Sequence, residues 1–274
     1  MTVMLRPSRA VFRFSGPEAQ RLLFDVITAR VKAEPGPALW WALLSPQGKI
    51  QAEGLCGWAD EAFWLDVDSS VADAFLKRMR MYKLRAAVEI EDLRETHVVG
   101  WSPEETVGVA HADARPGGLG WRVIADKAAA DWDTEDTEFI RARINAGVAE
   151  LGPDFGADST FPHDIGMDLL GGIDFKKGCY IGQEVVSRMQ HRGTARRRPV
   201  IVSALAEGAA AGARLLVGER EAGTIGWVLD GKAVAIVRLD RVPDAEAASF
   251  ANLPVVLHLP EWATYRFGES GGAD

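Results

Sequence analysis

The chain has 274 residues, with 47% hydrophobic and 26% charged side chains, the proportions of an ordinary globular protein, so wholesale disorder is excluded. Its longest uncharged apolar run, residues 38–44, is far short of the roughly 20 residues of a membrane helix, and no apolar block near the start reads as a secretory leader. A net charge of −8 repels a phosphate backbone and argues against general nucleic-acid binding. Two cysteines, Cys56 and Cys179, make no disulfide framework and cannot by themselves enclose a structural zinc or an iron–sulfur cluster. A reducing, cytoplasmic setting is the default expectation.

In chain order, residues 11–14 are a short apolar stretch. Ser15 and Glu18 then have the spacing of a capping box, opening a helix whose apolar face is Ala19, Leu22, Leu23 and Val26. Residues 38–44 are a strand-like run ended by a turn at 45–48. Strands are predicted over 50–58 and 63–67. Ser69 or Ser70 is placed to cap a helix with Val71, Phe75, Met79 and Tyr82 on one side, and 86–93 reads as a strand. This order predicts an α+β fold rather than a doubly wound sheet. Short strands over 98–101, 107–110 and 121–125 follow, then an acidic stretch from 126 to 158 with a helix over 134–146. Residues 158–172 read as loops. Residues 192–199 read as a basic hinge. Beyond it, β-like runs at 199–204, 214–217, 223–229, 233–239 and 255–259 suggest a small barrel or sandwich. The polar, Gly-rich end, 268–274, reads as a disordered tail.

The segment 174–188 carries the clearest chemistry. Cys179 follows two lysines and Gly178, and Gly182 and Gln183 lead into a helical pattern. Small neighbours would admit a partner to the sulfur, while lysines and the start of a helix would stabilise a thiolate. That makes Cys179 a candidate nucleophile, metal ligand or redox thiol, against the plain alternative of an inert buried cysteine. From 174 to 198, two lysines and five arginines stand against one Asp and one Glu, a local basic patch. Glu184, Arg188 and Arg192 share one helix face, either as a surface ion-pair ladder or as an anion grip. His163 and His191 flank the segment, but their spacing matches no zinc motif. Cys56 reads as core. Trp40 and Trp41 alternate faces on a strand, so that one could border a pocket.

Lys177-Gly178-Cys179-Tyr180-Ile181-Gly182-Gln183-Glu184 resembles the motif of the YgfZ family, folate-binding relatives of the glycine cleavage T-protein. Phe161-Pro162-His163-Asp164 and Met167-Asp168-Leu169-Leu170 before it, and residues 188–193 after it, extend the resemblance. Residues 22–28, 45–49 and 81–85 carry it upstream. The resemblance implies a T-protein-like fold: linked α+β, ferredoxin-like subdomains (1–195, with a break near 95) around a central folate channel, and a C-terminal β-barrel (196–267). It implies a tetrahydrofolate-binding accessory protein for assembly or repair of [4Fe–4S] proteins, including the cluster enzymes that thiolate tRNA. Cys179 would act with Lys177, either as a transient iron–sulfur ligand or as an attacking thiol. Folate contacts are expected among Gly178, Tyr180, Gly182, Gln183, Glu184, Arg188, Tyr82 and Arg85. Iron–sulfur client or carrier proteins are the expected partners, with no direct nucleic acid, no membrane and a monomeric state. The alternative is a folate-dependent one-carbon transferase. T-proteins carry an acidic pair in the strand after a Gly-Gly or Gly-Arg turn, one carboxylate of which orients the folate. Here that place is Ala52-Glu53, and Glu53 is expected to face solvent.

Overall fold

The computed structural model describes residues 3–269. Three antiparallel sheets organise it. The first is built from β2 (Arg9–Ser15), β3 (Leu39–Leu44), β4 (Ile50–Ala59), β5 (Ala62–Asp68) and β6 (Glu89–Asp92), in the order β3-β4-β5-β2-β6. Apart from the edge strand β6, its strands are buried along nearly their whole length. Helices α1 (Ala19–Val26) and α2 (Ala72–Lys83) pack on one face. Phe75 of α2 meets Phe12 and Trp41 with ring centroids 5.2 and 5.4 Å apart, so periodic apolar residues become one core.

The second sheet, β1-β7-β9-β8, joins β1 (Met4–Leu5), β7 (His97–Ser102), β8 (Val109–Ala112) and β9 (Trp121–Asp126). Helix α3 (Thr137–Asn145) follows it, then a long irregular stretch that reaches α4 (Gln183–Arg192). The third sheet has seven strands, from β10 (Arg197–Ser203) through β11 (Arg214–Val217), β12 (Arg220–Leu229), β13 (Lys232–Arg238), β14 (Ala248–Phe250), β15 (Leu253–Pro254) and β16 (Val256–His258), in the order β15-β14-β11-β12-β13-β10-β16. It surrounds a separate core that includes Val200, Leu215, Ile225, Val237 and Leu257. Between α4 and β10 only residues 193–196 remain, so the hinge expected over 192–199 is shorter. Of the expected tail, 270–274 lie outside the described residues, while the Gly268 N–H donates to the Leu239 carbonyl at 3.0 Å.

Two helix starts differ from expectation. Ser15 closes β2 instead of capping α1, and the Glu18 carboxylate accepts from the Ala87 N–H at 2.6 Å, tying α1 to the chain entering β6. Asp68, not Ser69 or Ser70, caps the turn before α2, accepting from the Ser70 N–H at 2.9 Å. In both cases a carboxylate makes the bond at the helix start in place of the expected serine hydroxyl, a stronger, charge-assisted bond.

The barrel is fastened to the body through Asp154. Its carboxylate pairs with Arg143, accepts from the Glu150 N–H at 2.8 Å, and accepts from the Trp227 N–H of β12 at 3.0 Å. Removing one partner of a buried ion pair leaves the other charge without compensation. Asp154→Ala is expected to cost about 3–5 kcal/mol, read as a lowered urea midpoint at unchanged far-ultraviolet circular dichroism in water.

Candidate cysteine site and the closed centre

The cysteine loop is held from below. Asp174 accepts from the amides of Lys176 and Lys177 at 2.7 and 3.0 Å, the self-made turn that aspartate favours. Its own N–H donates to the Thr28 carbonyl at 3.0 Å, and the Thr28 hydroxyl donates to the Gly172 carbonyl at 2.6 Å. Lys177 points inward from this turn. Its ammonium donates to the carbonyls of Ile27 and Ala29, the latter at 3.1 Å, and lies 4.9 and 5.0 Å from the Phe24 and Tyr180 ring centres. Burial lowers its pKa to about 8. Lys177 is therefore a clamp, spending its donors on main-chain carbonyls rather than on the thiol.

Two residues on, Cys179 is exposed. Tyr180 turns back into the main core, and burial pushes its phenol above the usual range. Gly182 (φ +80°) then starts α4. A Cβ there would lie 2.6 Å from the Ser45 carbonyl oxygen and 3.2 Å from the Gly48 Cα, while Gly48 in turn faces Val185. A Cβ on Gly178 would press on Phe24 at 3.3 Å. The room at both glycines, expected to admit a partner, is filled by the chain's own residues. They let the loop sit close to α1 and the 45–48 turn, which leaves the sulfur at the surface.

The remaining expected folate contacts do not gather round a cavity. Tyr82 is half-buried against the core, Arg85 is exposed, and Gln183 is half-buried at the start of α4. Arg188 and Glu184 pair with each other at 2.6 Å on the exposed face of α4, the surface ladder anticipated as the plain alternative. His163 is buried, with Nε2 3.1 Å from the Gln190 amide oxygen and Nδ1 without a partner among the described residues. No group of three His, Cys, Asp or Glu side chains among the described residues is arranged to hold a metal. Cys56 is a core residue whose thiol burial pushes up to about 12.

The sequence reading missed a second polar constellation, where the two N-terminal sheets and α3 meet. Glu53 is not at the solvent but buried, 2% exposed. Its Oε2 accepts from the Trp40 indole at 2.6 Å, and its Oε1 accepts from the Leu151 N–H at 3.1 Å and lies 3.5 Å from Arg9. Arg9 donates to Asp66, which also pairs with Arg122 at 2.9 Å. Glu150 joins Arg6 at 2.8 Å, Arg9 at 3.4 Å and Arg143 at 3.7 Å. Burial alone would raise the Glu150 carboxyl, but Arg6, Arg9 and Arg143 outweigh it and hold it well below the usual range. Burial wins at Glu53, whose carboxyl is raised. Charged residues inside apolar strands, Asp66 between Leu65 and Val67 or Arg122 between Trp121 and Val123, are the sequence signal that marks such a site.

The free space in this centre is about 20 Å³, room for one water. A folate, which the resemblance places in a central channel, does not fit there. A larger cleft of about 460 Å³ opens beside it, between Arg6–Ser8, α3 and the exposed Trp227.

This architecture is that of the aminomethyltransferase T-proteins. The chain superposes on the glycine cleavage system aminomethyltransferase T of Bartonella henselae with a TM-score of 0.73, at 13% identity, covering 97% of this chain and 87% of that one. Residues 196–265 match the family described as the CAF17 C-terminal beta-barrel domain. Curated relatives named as iron–sulfur cluster assembly factors match as well. The mitochondrial IBA57 homologue of Mycosarcoma maydis is 31% identical over 224 residues, 72% of this chain and 56% of that protein. The homologue of Pyricularia oryzae is 30% identical over 211 residues, 70% and 54%. Mitochondrial IBA57 of Homo sapiens is 28% identical over 228 residues, 69% and 63%. The chain spans little more than half the length of the first two.

The Lys177 clamp is testable. Lys177→Met strands two buried carbonyls and is expected to cost about 1–3 kcal/mol at neutral pH. Between about pH 8 and 10.5, the ordinary lysine value, the unfolded chain holds a proton that folded Lys177 has released. This site therefore favours folding more as pH rises through that window. Melting curves of wild type and variant are therefore expected to diverge across this window, the wild type gaining on the variant as the pH increases.

Proposed function

We propose that this chain is an accessory factor in the assembly or repair of iron–sulfur proteins and works through Cys179. The observation that carries the reading is the exposed cysteine, presented between the Lys177 clamp and the Gly182 turn, in a chain whose relatives are named iron–sulfur cluster assembly factors. A cluster wants about four ligands, and among the described residues none other stands ready beside Cys179. Its thiolate would bind one iron, the thiol proton passing to solvent, while the remaining ligands come from a partner protein. A client or carrier with thiolates of its own is therefore part of the proposal, as are a monomeric state, a reducing, cytoplasmic setting and a place beside the YgfZ family. Support for cluster enzymes that act on tRNA would follow from that place. Direct nucleic-acid contact is no part of it.

The folate element of the resemblance carries no step here, because the centre has no space for the ring. The likeness to an aminomethyltransferase favours one-carbon transfer as a second reading, and the same closed centre counts against it.

The test is made in cells lacking this gene, by assay of a [4Fe–4S] enzyme after rescue with wild type or Cys179→Ala at equal protein level. Wild type is expected to restore the enzyme and the variant to leave it at the deletion level. Full rescue by the variant refutes the proposal.

A further inference from the structure

The family resemblance implies a folate channel at the centre of the fold. Three observations bear on it independently. The first is the state of the carboxylate. Glu53 stands where T-proteins keep the acid that orients folate, but its oxygens already accept from the Trp40 indole and the Leu151 amide and face Arg9. With two direct hydrogen bonds and a guanidinium at 3.5 Å, most of its roughly four acceptor positions are turned to the chain's own donors rather than to the amino-pyrimidinone edge of a pterin.

The second is the state of the aromatic wall. Trp40 is the ring best placed to stack on a flat ligand. Its N–H is spent on Glu53, and the Arg115 guanidinium lies 5.1 Å from its ring centre. Arg115 is fixed there by a two-pronged pairing with Asp113, at 3.0 and 2.6 Å, the bidentate form that holds its geometry best. The site that would be left for a pterin face is therefore taken by a cation the chain supplies.

The third is volume. Beyond the roughly 20 Å³ of free space, the wall has no give at Gly54, where even a methyl would lie 1.8 Å from the Asp66 carbonyl oxygen and 2.7 Å from Arg9. Admitting a bicyclic ring would mean parting ion pairs in which Arg9, Asp66 and Arg122 are each nearly inaccessible to water, and each parted charge would remain buried without a partner.

We infer that the centre of this chain takes no pterin, and that the Glu53–Arg9–Asp66–Arg122 lattice has replaced a bound ligand as the element that joins the two N-terminal sheets. The inference concerns the centre alone and stands whether or not Cys179 serves iron–sulfur proteins. Any folate the chain binds sits outside the lattice, and the cleft beside Trp227 is a neighbouring space large enough for a ring.

The test is calorimetric titration of the full chain with 5-formyltetrahydrofolate, in wild type, Trp40→Phe and Trp227→Ala, with hydrogen exchange over residues 50–59 as a second readout. The expected result is no saturable binding into the millimolar range. Binding lost in Trp227→Ala, unchanged in Trp40→Phe and without slowed exchange over 50–59 equally supports a closed centre. One-to-one binding weakened tenfold or more by Trp40→Phe at unchanged melting temperature overturns the inference. So does ligand-dependent slowing of exchange over 50–59 in wild type, which needs no variant to fold. The rescue assay with Cys179→Ala is scored separately, so failure of one reading does not imply failure of the other.

Discussion

Arg9 is the side chain on which most of this structure turns. It leaves the first strand of the main sheet and meets Asp66 on the neighbouring strand, Glu53 one strand further and Glu150 from the segment after α3. A guanidinium is suited to this because its donors lie in a fixed plane and its charge is never lost. Burying one is unfavourable unless every acceptor around it is in place. The sheet, the second sheet through Arg122, and the segment leading to Asp154 are therefore mutually dependent: each supplies a charge that the others must neutralise. Apolar packing also joins the parts, Val11 and Trp64 of the first sheet meeting Val99 and Ile124 of the second. The lattice adds directional contacts between them, since charge-assisted pairs of this kind have a defined geometry.

The cysteine region follows another logic. It is built from short contacts between neighbours in the chain and one strap, residues 27–29, that receives Thr28, Asp174 and Lys177 interactions. Of the two lysines expected to act on the sulfur, Lys177 is occupied in holding the loop. What the loop achieves is presentation: a sulfur brought to the surface by a turn that is itself well anchored.

How much could be read from the sequence depends on the range of the interactions. The helices, most strands and the cysteine loop were legible because their causes lie within a few residues: apolar spacing in Ala19–Val26, alternation and turns around β4 and β5, the glycine-flanked cysteine. The start of α1 was misread because the partner of Glu18 is Ala87, an amide brought near only by the fold. Glu53 was misread for the same reason. An acid in a strand reads as the solvent-facing member of an alternating pair, but β4 is buried on both sides, and the partners of Glu53 are Arg9, Trp40 and Leu151. Arg6 and Glu150 are 144 positions apart. No local rule pairs them, although charged residues enclosed by apolar strand neighbours announce that some pairing exists. The expected folate contacts came from the resemblance rather than from any local rule, and the structure does not gather them round one cavity: Arg188 and Glu184 pair on the exposed face of α4 while Tyr82 packs against the core.

The strap under the cysteine loop leaves Cys179 little freedom. Lys177 on one side and Gly182 on the other are fixed to the body, and too few residues lie between them for the sulfur to withdraw beneath the surface. A thiol in that position meets every oxidant and electrophile in its surroundings. On the proposed function, discrimination between a productive encounter and a damaging one would fall to the shape and charge of whatever docks beside the exposed sulfur.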